Sequence, residues 1–373
     1  MRETDELLRP WAGQALGDVP GLRLCDVHTH IGANDPDGFR QTPEELLQAL
    51  DRAQAAGVVF PMHEPSGYAA ANDRVLALAQ ASAGRLTAFC RVDPRRGAVA
   101  EARRCLDAGA RGIKLHPRAE GFALAEPAVR ELFALAQERR APILIHAGRG
   151  IPALGRDSVA LAREFPEAPL ILAHCAISDL AWIWRELQQQ PNLYVDTAWW
   201  SPADLMAVFA LVPPGQVLWA SDSPYGSPVQ ATALVLRCAL QAGLSPQQLQ
   251  AMAGGQARRL VAGQEPLDLG PAPGPAAVSR DPLLERAGAH LLAAVARRLG
   301  YAPMTEPVAL VRLACEVAPG EPRARHFASV LELLELLEQL PATGDELQRR
   351  QRDLHLLITA LAVAMTPDVG VPG

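Results

Sequence analysis

The sequence predicts an α/β fold, a (β/α)8 TIM barrel followed by a small C-terminal all-α helical domain. Between residues 22 and 260 short apolar runs alternate with longer stretches of helical periodicity, the sign of repeated βα units around a parallel sheet. Beyond a Pro/Gly-rich interruption the periodicity is helical only. The length of 373 residues accommodates one barrel of about 250 residues and a smaller unit.

The apolar runs expected as strands are Leu22 to His30, Val58 to Met62, Leu86 to Val92, Gly112 to His116, Ile143 to His146, Leu170 to His174, Leu193 to Thr197 and Val217 to Asp222. Eight strands favour closure into a barrel over an open sheet. Helices are expected at Thr42 to Ala56, Asn72 to Ala83, Ala98 to Ala108, Glu126 to Arg139, Asp179 to Gln189 and Pro228 to Gln241. Thr42, before Pro43 and three residues ahead of Glu45, is a capping-box signal, and Asp179 is placed to cap the helix of Trp182 and Trp184. The stretch from Gly263 to Pro282 breaks all periodicity and reads as a linker or strap. Leu283 to Leu299, Glu306 to Val317, Glu321 to Leu340 and Asp345 to Met365 then read as helices. The expected organisation is therefore a barrel over 1–262, a linker over 263–282 and a helical domain over 283–373.

Apolar residues make up 49% and charged residues 20% of the chain, an ordinary globular composition that excludes wholesale disorder. The net charge of −6 is spread among interspersed acids and bases, so no basic stripe suits nucleic acid. No apolar run approaches the ~18 residues of a membrane span, and the charged start MRETDELLRP does not resemble a secretion signal. The six cysteines lack any C-x-x-C pair and sit in apolar or helical contexts, which favours buried thiols and a cytoplasmic location.

The chemistry lies at the strand ends. Residues two apart on a strand share a face, so DVHTHIG is expected to present His28 and His30 together, with Asp26 beneath. His146 ends ILIHAG, His174 ends ILAHCA, and Asp222 follows the eighth apolar run. Barrel strand ends converge at one mouth, where four imidazoles and a carboxylate would suit Zn²⁺, with Fe²⁺ or Mn²⁺ as alternatives, and leave a position for water. Lys114 is expected on the inward face of the fourth strand, where a buried amine needs a partner or a chemical modification. Candidate substrate contacts are His63 and Glu64, Arg91 and Asp93, His116 and Arg118, Trp199 and Trp200, and Tyr225. Arg118 could grip a carboxylate, and the tryptophans could wall an apolar group. His290, His326 and His355 are widely spaced and read as ordinary surface or core residues. The leucines of Ser329 to Leu340 cover a wide arc, which implies burial against neighbouring helices, the barrel or another subunit.

At these residues the chain resembles the amidohydrolase superfamily, especially the amidohydrolase family 2 branch that contains aminocarboxymuconate-semialdehyde decarboxylase. YVDT (194–197), ASDSPYG (220–226) and GGQARRLV (254–261) carry the same resemblance, with Gln256 where that branch usually has Asn. The resemblance implies that His28, His30, His146 and Asp222 hold a divalent ion. His174 is then a catalytic residue or a ligand of a second ion, and Lys114 either bridges two ions as a carbamate or pairs with Asp222 or an anionic substrate group. The implied chemistry is attack by metal-activated water on an amide, lactam, ester or lactone of a small molecule, with Asp222 moving the proton and His174 stabilising the oxyanion. Non-oxidative decarboxylation of an unsaturated or aromatic acid is the alternative. A non-catalytic role acting through the helical tail, with contacts to a partner or a second copy, is the reading from another class.

Overall fold

A computed structural model describes residues 2–275, 279–318, 320–340 and 344–373. The centre of the expected linker, 276–278, lies outside the described residues.

Eight parallel strands form the barrel, in the order β1 (Cys25–Ile31), β2 (Ala56–Pro61), β3 (Leu86–Arg91), β4 (Gly112–Leu115), β5 (Ile143–Ile145), β6 (Leu170–Leu172), β7 (Leu193–Asp196) and β8 (Val217–Leu218). Each pairs with the next in the sequence. Closure of β8 on β1 runs through a Thr29–Ser223 bridge, with Val27 N–H donating to Trp219 O (3.2 Å) and His30 N–H to Ser223 O (2.9 Å). All eight expected strands are present. β8 is shorter than expected because the chain leaves the ladder after Leu218 to form the turn that carries Asp222.

The helices are α1 (Arg2–Gly17), α2 (Pro43–Arg52), α3 (Ala69–Ala81), α4 (Ala98–Asp107), α5 (Pro117–Glu120), α6 (Pro127–Arg139), α7 (Leu154–Glu164), α8 (Leu180–Leu187), α9 (Pro202–Leu211), α10 (Pro228–Gln241), α11 (Pro246–Gln250) and α12 (Gln256–Val261). Four more follow: α13 (Pro282–Leu299), α14 (Thr305–Ala314), α15 (Ala324–Gln339) and α16 (Glu346–Met365). The capping box at Thr42 forms as expected: Glu45 N–H donates to Thr42 Oγ1 at 3.2 Å and Thr42 N–H to Glu45 Oε2 at 2.8 Å. Asp179 does begin α8, but its carboxylate accepts from Gly155 N–H and Trp182 Nε1 instead of capping its own helix. Helices α1, α5, α7, α9, α11 and α12 are additions to the expected set. α9 is apolar on nearly every face and so has no amphipathic period to read.

Inside the barrel Val27, Phe60, Phe89, Leu144, Ile171, Tyr194 and Leu218 form one apolar cluster. A second, larger cluster between strands and helices continues from Leu8 and Trp11 of α1 to Leu356 through Ala364 of α16. The leucine arc of α15 is covered by its neighbours, Trp11 Nε1–H donating to Ser329 Oγ across the α1–α15 contact. α10 is buried almost all round, between α1, α2, α9 and α16. Its Arg237 is fully buried and donates to Thr366 Oγ1, Val369 O and Gly370 O, which fastens the end of the chain to the barrel. Arg237→Met should strip these acceptors of their donor and lower unfolding stability by about 2–3 kcal/mol, read as an earlier urea midpoint. Among the described residues no helix is long and apolar enough to cross a membrane.

Candidate metal centre

The inward positions of the strands change from apolar to polar at the carboxyl mouth. Two residues beyond Phe89, Gly112, Leu144 and Tyr194 stand Arg91, Lys114, His146 and Asp196, so strand alternation alone delivers them to one cup. Gly112 serves the close packing below, since a Cβ there would lie 2.5 Å from the Phe89 ring.

Simple alternation fails for the other histidines. Cys25 and Val27 belong to the barrel interior, and a bulge between Asp26 and Thr29 shifts the parity so that His28 and His30 face inward above them. Asp26 consequently does not share their face. It binds β1 to the β8 turn, accepting from His28 N–H (3.1 Å), Ser221 N–H (3.0 Å) and Ser221 Oγ–H (2.5 Å), and burial raises its carboxyl to about 7. His174 follows the interior residue Ala173 and turns inward because His174, Cys175 and Ala176 adopt left-handed φ of 57°, 59° and 49°. Asp222 also has a left-handed φ, 61°. Such backbone is disfavoured for residues with a side chain. At His174 it is held by donation from its N–H to Asp196 Oδ1 (2.8 Å) and by the contact of its Nδ1 with Ala198 O (2.7 Å).

Three donors converge. Asp222 Oδ1 lies 3.2 Å from His28 Nε2 and 3.1 Å from His30 Nε2, close to the roughly 3.3 Å edge of a tetrahedron with ~2.0 Å ligand bonds. His28 Nδ1 is 2.8 Å from Asp196 Oδ2. When Asp196 takes that N–H, Nε2 is left as a lone pair opposite the Asp222 oxygen, able to ligate a cation between them. Burial holds His28 and His30 well below the usual imidazole range, and hence neutral, while it pushes the Asp222 carboxyl upward. Neutral imidazoles around a carboxylate that is costly to ionise without a counter-charge fit a divalent cation.

His146 stands slightly apart, its Nδ1 2.9 Å from His174 Nε2, with its own Nε2 buried and unpartnered. His28 and His174 ring centroids are 5.1 Å apart. Gly148 makes room for His146, because a Cβ at that position would approach Nε2 to 2.6 Å. Gly148→Ala should therefore displace the ring and weaken zinc binding about tenfold or more with the fold retained, as read by zinc titration beside circular dichroism. Lys114 is fully buried, with Nζ 3.2 Å from His28 Nε2, and burial lowers its ammonium to about 7. Among the described residues it makes no direct ion pair with Asp222. A second combination of possible ligands, His28, His174 and Asp196, is weaker, because both Asp196 oxygens already hold His28, His174 and Ala198 in place.

Of the nine expected substrate contacts, His63, Arg91, His116, Arg118, Trp199, Trp200 and Tyr225 line one of two adjoining cavities. Arg91 is committed to Glu120 at 2.6 Å, and His116 stacks on His146 at 3.9 Å between ring centroids. Tyr225 O–H donates to Asp35 Oδ2, and Trp199 Nε1–H to Asp204. Glu64 and Asp93 leave the cup, engaging Asn34 and Arg74 in one case and Arg95 and Arg96 in the other. Asp196 and Glu120 are additions to the expected site. The inward position of Asp196 on β7, two residues after Tyr194, is a signal that could have found it. His355, buried as a core residue, also lines the cavity above the cup. His326 is buried against Val369 O at 3.0 Å, and His290 is half-buried on α13.

A closed eight-stranded barrel whose mouth gathers His and Asp side chains able to hold a metal ion has the layout of an enzyme site. Residues 25–262 match the family described as amidohydrolase, and the chain belongs to that family. A search of curated protein sequences gives no match. Among solved structures the fold is similar to 5-carboxyvanillate decarboxylase from Sphingomonas paucimobilis (16% identity, 65% of this chain and 99% of that one, TM-score 0.52). It is likewise similar to 2,6-dihydroxybenzoate decarboxylase from Rhizobium (14%, 65% and 99%, 0.52) and to an uncharacterised TIM-barrel protein from Bordetella bronchiseptica (17%, 65% and 99%, 0.52). Gln256 donates to Gly215 O and Leu267 O and accepts from Leu267 N–H.

Proposed function

We propose that this protein is a metal-dependent hydrolase acting on an amide, lactam, ester or lactone of a small molecule. The approach of Asp222 Oδ1 to His28 Nε2 and His30 Nε2, at 3.2 and 3.1 Å, carries the reading. His146 and His174 complete the set of residues that would hold the ion, zinc fitting this donor set best and iron or manganese next. When bound, the ion supplies Lewis acidity that polarises a carbonyl and makes water more acidic. Asp222 removes the proton from the attacking water and returns it to the leaving group. Ala198 O takes the His174 Nδ1–H, so Nε2 carries a lone pair that suits the ion or accepts a proton, and the ring does not serve the oxyanion as a donor. Asp196 fixes the tautomer of His28, and the packed barrel floor keeps bulk water from below.

Non-oxidative decarboxylation is supported by a different observation. Arg118 and Arg149 line the cavity beside Trp199 and Trp200, and among the described residues neither arginine has an acidic partner. Free guanidinium groups beside an aromatic wall suit an unsaturated or aromatic acid. The two reactions separate when zinc-loaded protein is incubated in ¹⁸O-water with panels of esters, lactones, amides and aromatic acids. Solvent oxygen in the product supports hydrolysis; CO₂ release without it supports decarboxylation and overturns the first reading. Metal analysis of the same protein decides the role of Lys114. Two ions per chain with CO₂ loss on acidification assigns a bridging carbamate, whereas one ion assigns the free amine.

A further inference from the structure

The family match ends at residue 262, yet the cavity above the cup does not. Its volume is about 310 Å³, and it opens onto His146, His174 and Asp222. The opposite side is supplied by α16 through Gln351, Leu354, His355 and Ile358. The barrel alone therefore builds only part of this cavity.

α16 is firmly attached there. Gln351 Nε2–H donates to Pro224 O (2.8 Å) and Tyr225 O (3.3 Å), on the turn that follows Asp222. At its other end Thr366 and the chain beyond it receive Arg237. Asp353, on the same helix, pairs with Arg298 at 2.8 Å.

His355 has no structural employment that would explain it. It is 5% exposed, lines the cavity, and its Nδ1 is buried without a hydrogen-bond partner. Leu354 and Ile358 beside it are apolar, and a leucine at 355 would avoid the cost of an unsatisfied buried nitrogen. A polar group entering the cavity would give the retained imidazole a partner. Its Nε2 is the ring nitrogen left to meet such a group, and burial lowers the imidazole to about 4, so it does so as a neutral ring, donor or acceptor according to the tautomer.

We infer that α16 is the roof of the substrate cavity and that His355 positions the substrate, a small carboxylate with an apolar or aromatic body, by hydrogen-bonding a polar substituent on that body. The carboxylate faces Arg118 and Arg149, and the body lies between Trp199 and the Leu354–Ile358 face. This rests on the proposed active site for its floor, but the C-terminal residues and their role are independent of which reaction occurs.

The test uses the full-length, zinc-loaded protein and two probes, benzoate and 4-hydroxybenzoate, titrated calorimetrically. The wild type is expected to bind both, 4-hydroxybenzoate more tightly. His355→Leu should weaken 4-hydroxybenzoate about tenfold and benzoate little, with partial recovery in His355→Gln. Leu354→Trp, at a half-buried position, should exclude both probes by filling the roof. Melting temperature and zinc content are recorded for every variant. Wild-type affinity for 4-hydroxybenzoate in both His355 variants overturns the positioning role, and unchanged binding in Leu354→Trp overturns the roof. Absence of binding to the wild type at millimolar probe overturns the ligand class. A wild type that binds both probes but takes up no zinc would instead count against the proposed function alone.

Discussion

Asp222→Asn is expected to lower turnover by about 10³-fold while leaving the barrel folded, a loss of the size associated with removing a general acid–base group. The amide keeps the shape of the side chain but can neither take a proton from water nor balance a cation. The fold should survive because the turn at this position is made by backbone: Tyr225 N–H and Gly226 N–H both donate to Asp222 O. Burial disfavours the charged carboxylate in the metal-free site, so replacing it with a neutral amide removes a cost and the metal-free variant should melt no earlier than the parent. Activity, melting temperature and zinc content measured together distinguish this outcome from simple unfolding. A variant with parental turnover refutes the assignment of Asp222.

Asp196→Asn is the second large effect, at one remove from the metal. Asp196 Oδ2 is 2.8 Å from His28 Nδ1, and Oδ1 accepts from His174 N–H and Ala198 N–H. An asparagine can satisfy His28 by donating its own amide N–H to Nδ1, which moves the imidazole proton to Nε2, the atom that faces Asp222. The ring then presents a proton where a lone pair is needed. Zinc affinity should fall about 10- to 100-fold, the usual consequence of disturbing a carboxylate that orients a metal-ligating histidine. Competition titration against a zinc chelator measures this directly, and unchanged affinity would remove Asp196 from the account.

Much of the barrel was legible because its signal is local. Each strand is a short apolar run between polar helices, and Arg91, Lys114 and His146 reach the cup by the period of two that the sequence displays. His28, His30 and His174 illustrate what was not legible. Their positions at strand ends were evident, but they face the cup through a bulge at β1 and a left-handed turn after β6, backbone departures that no residue pattern announces. The same bulge explains why Asp26, expected beneath the histidines, became a tie between β1 and the β8 turn. α9 escaped notice for the opposite reason, since a helix buried on nearly all faces lacks a polar stripe. His355 was hidden by distance: its role depends on α16 folding back over the barrel after an irregular segment, and only the tertiary contacts of Gln351 and Arg237 reveal that return.

The central claim is that one cation sits among three side chains drawn from opposite ends of the barrel sequence. Diffraction from zinc-loaded crystals at the zinc absorption edge tests it most directly. The account predicts an anomalous peak about 2.0–2.2 Å from imidazole nitrogens of His28 and His30 and from an oxygen of Asp222. Zinc-saturated crystals with no peak at those three residues would contradict it.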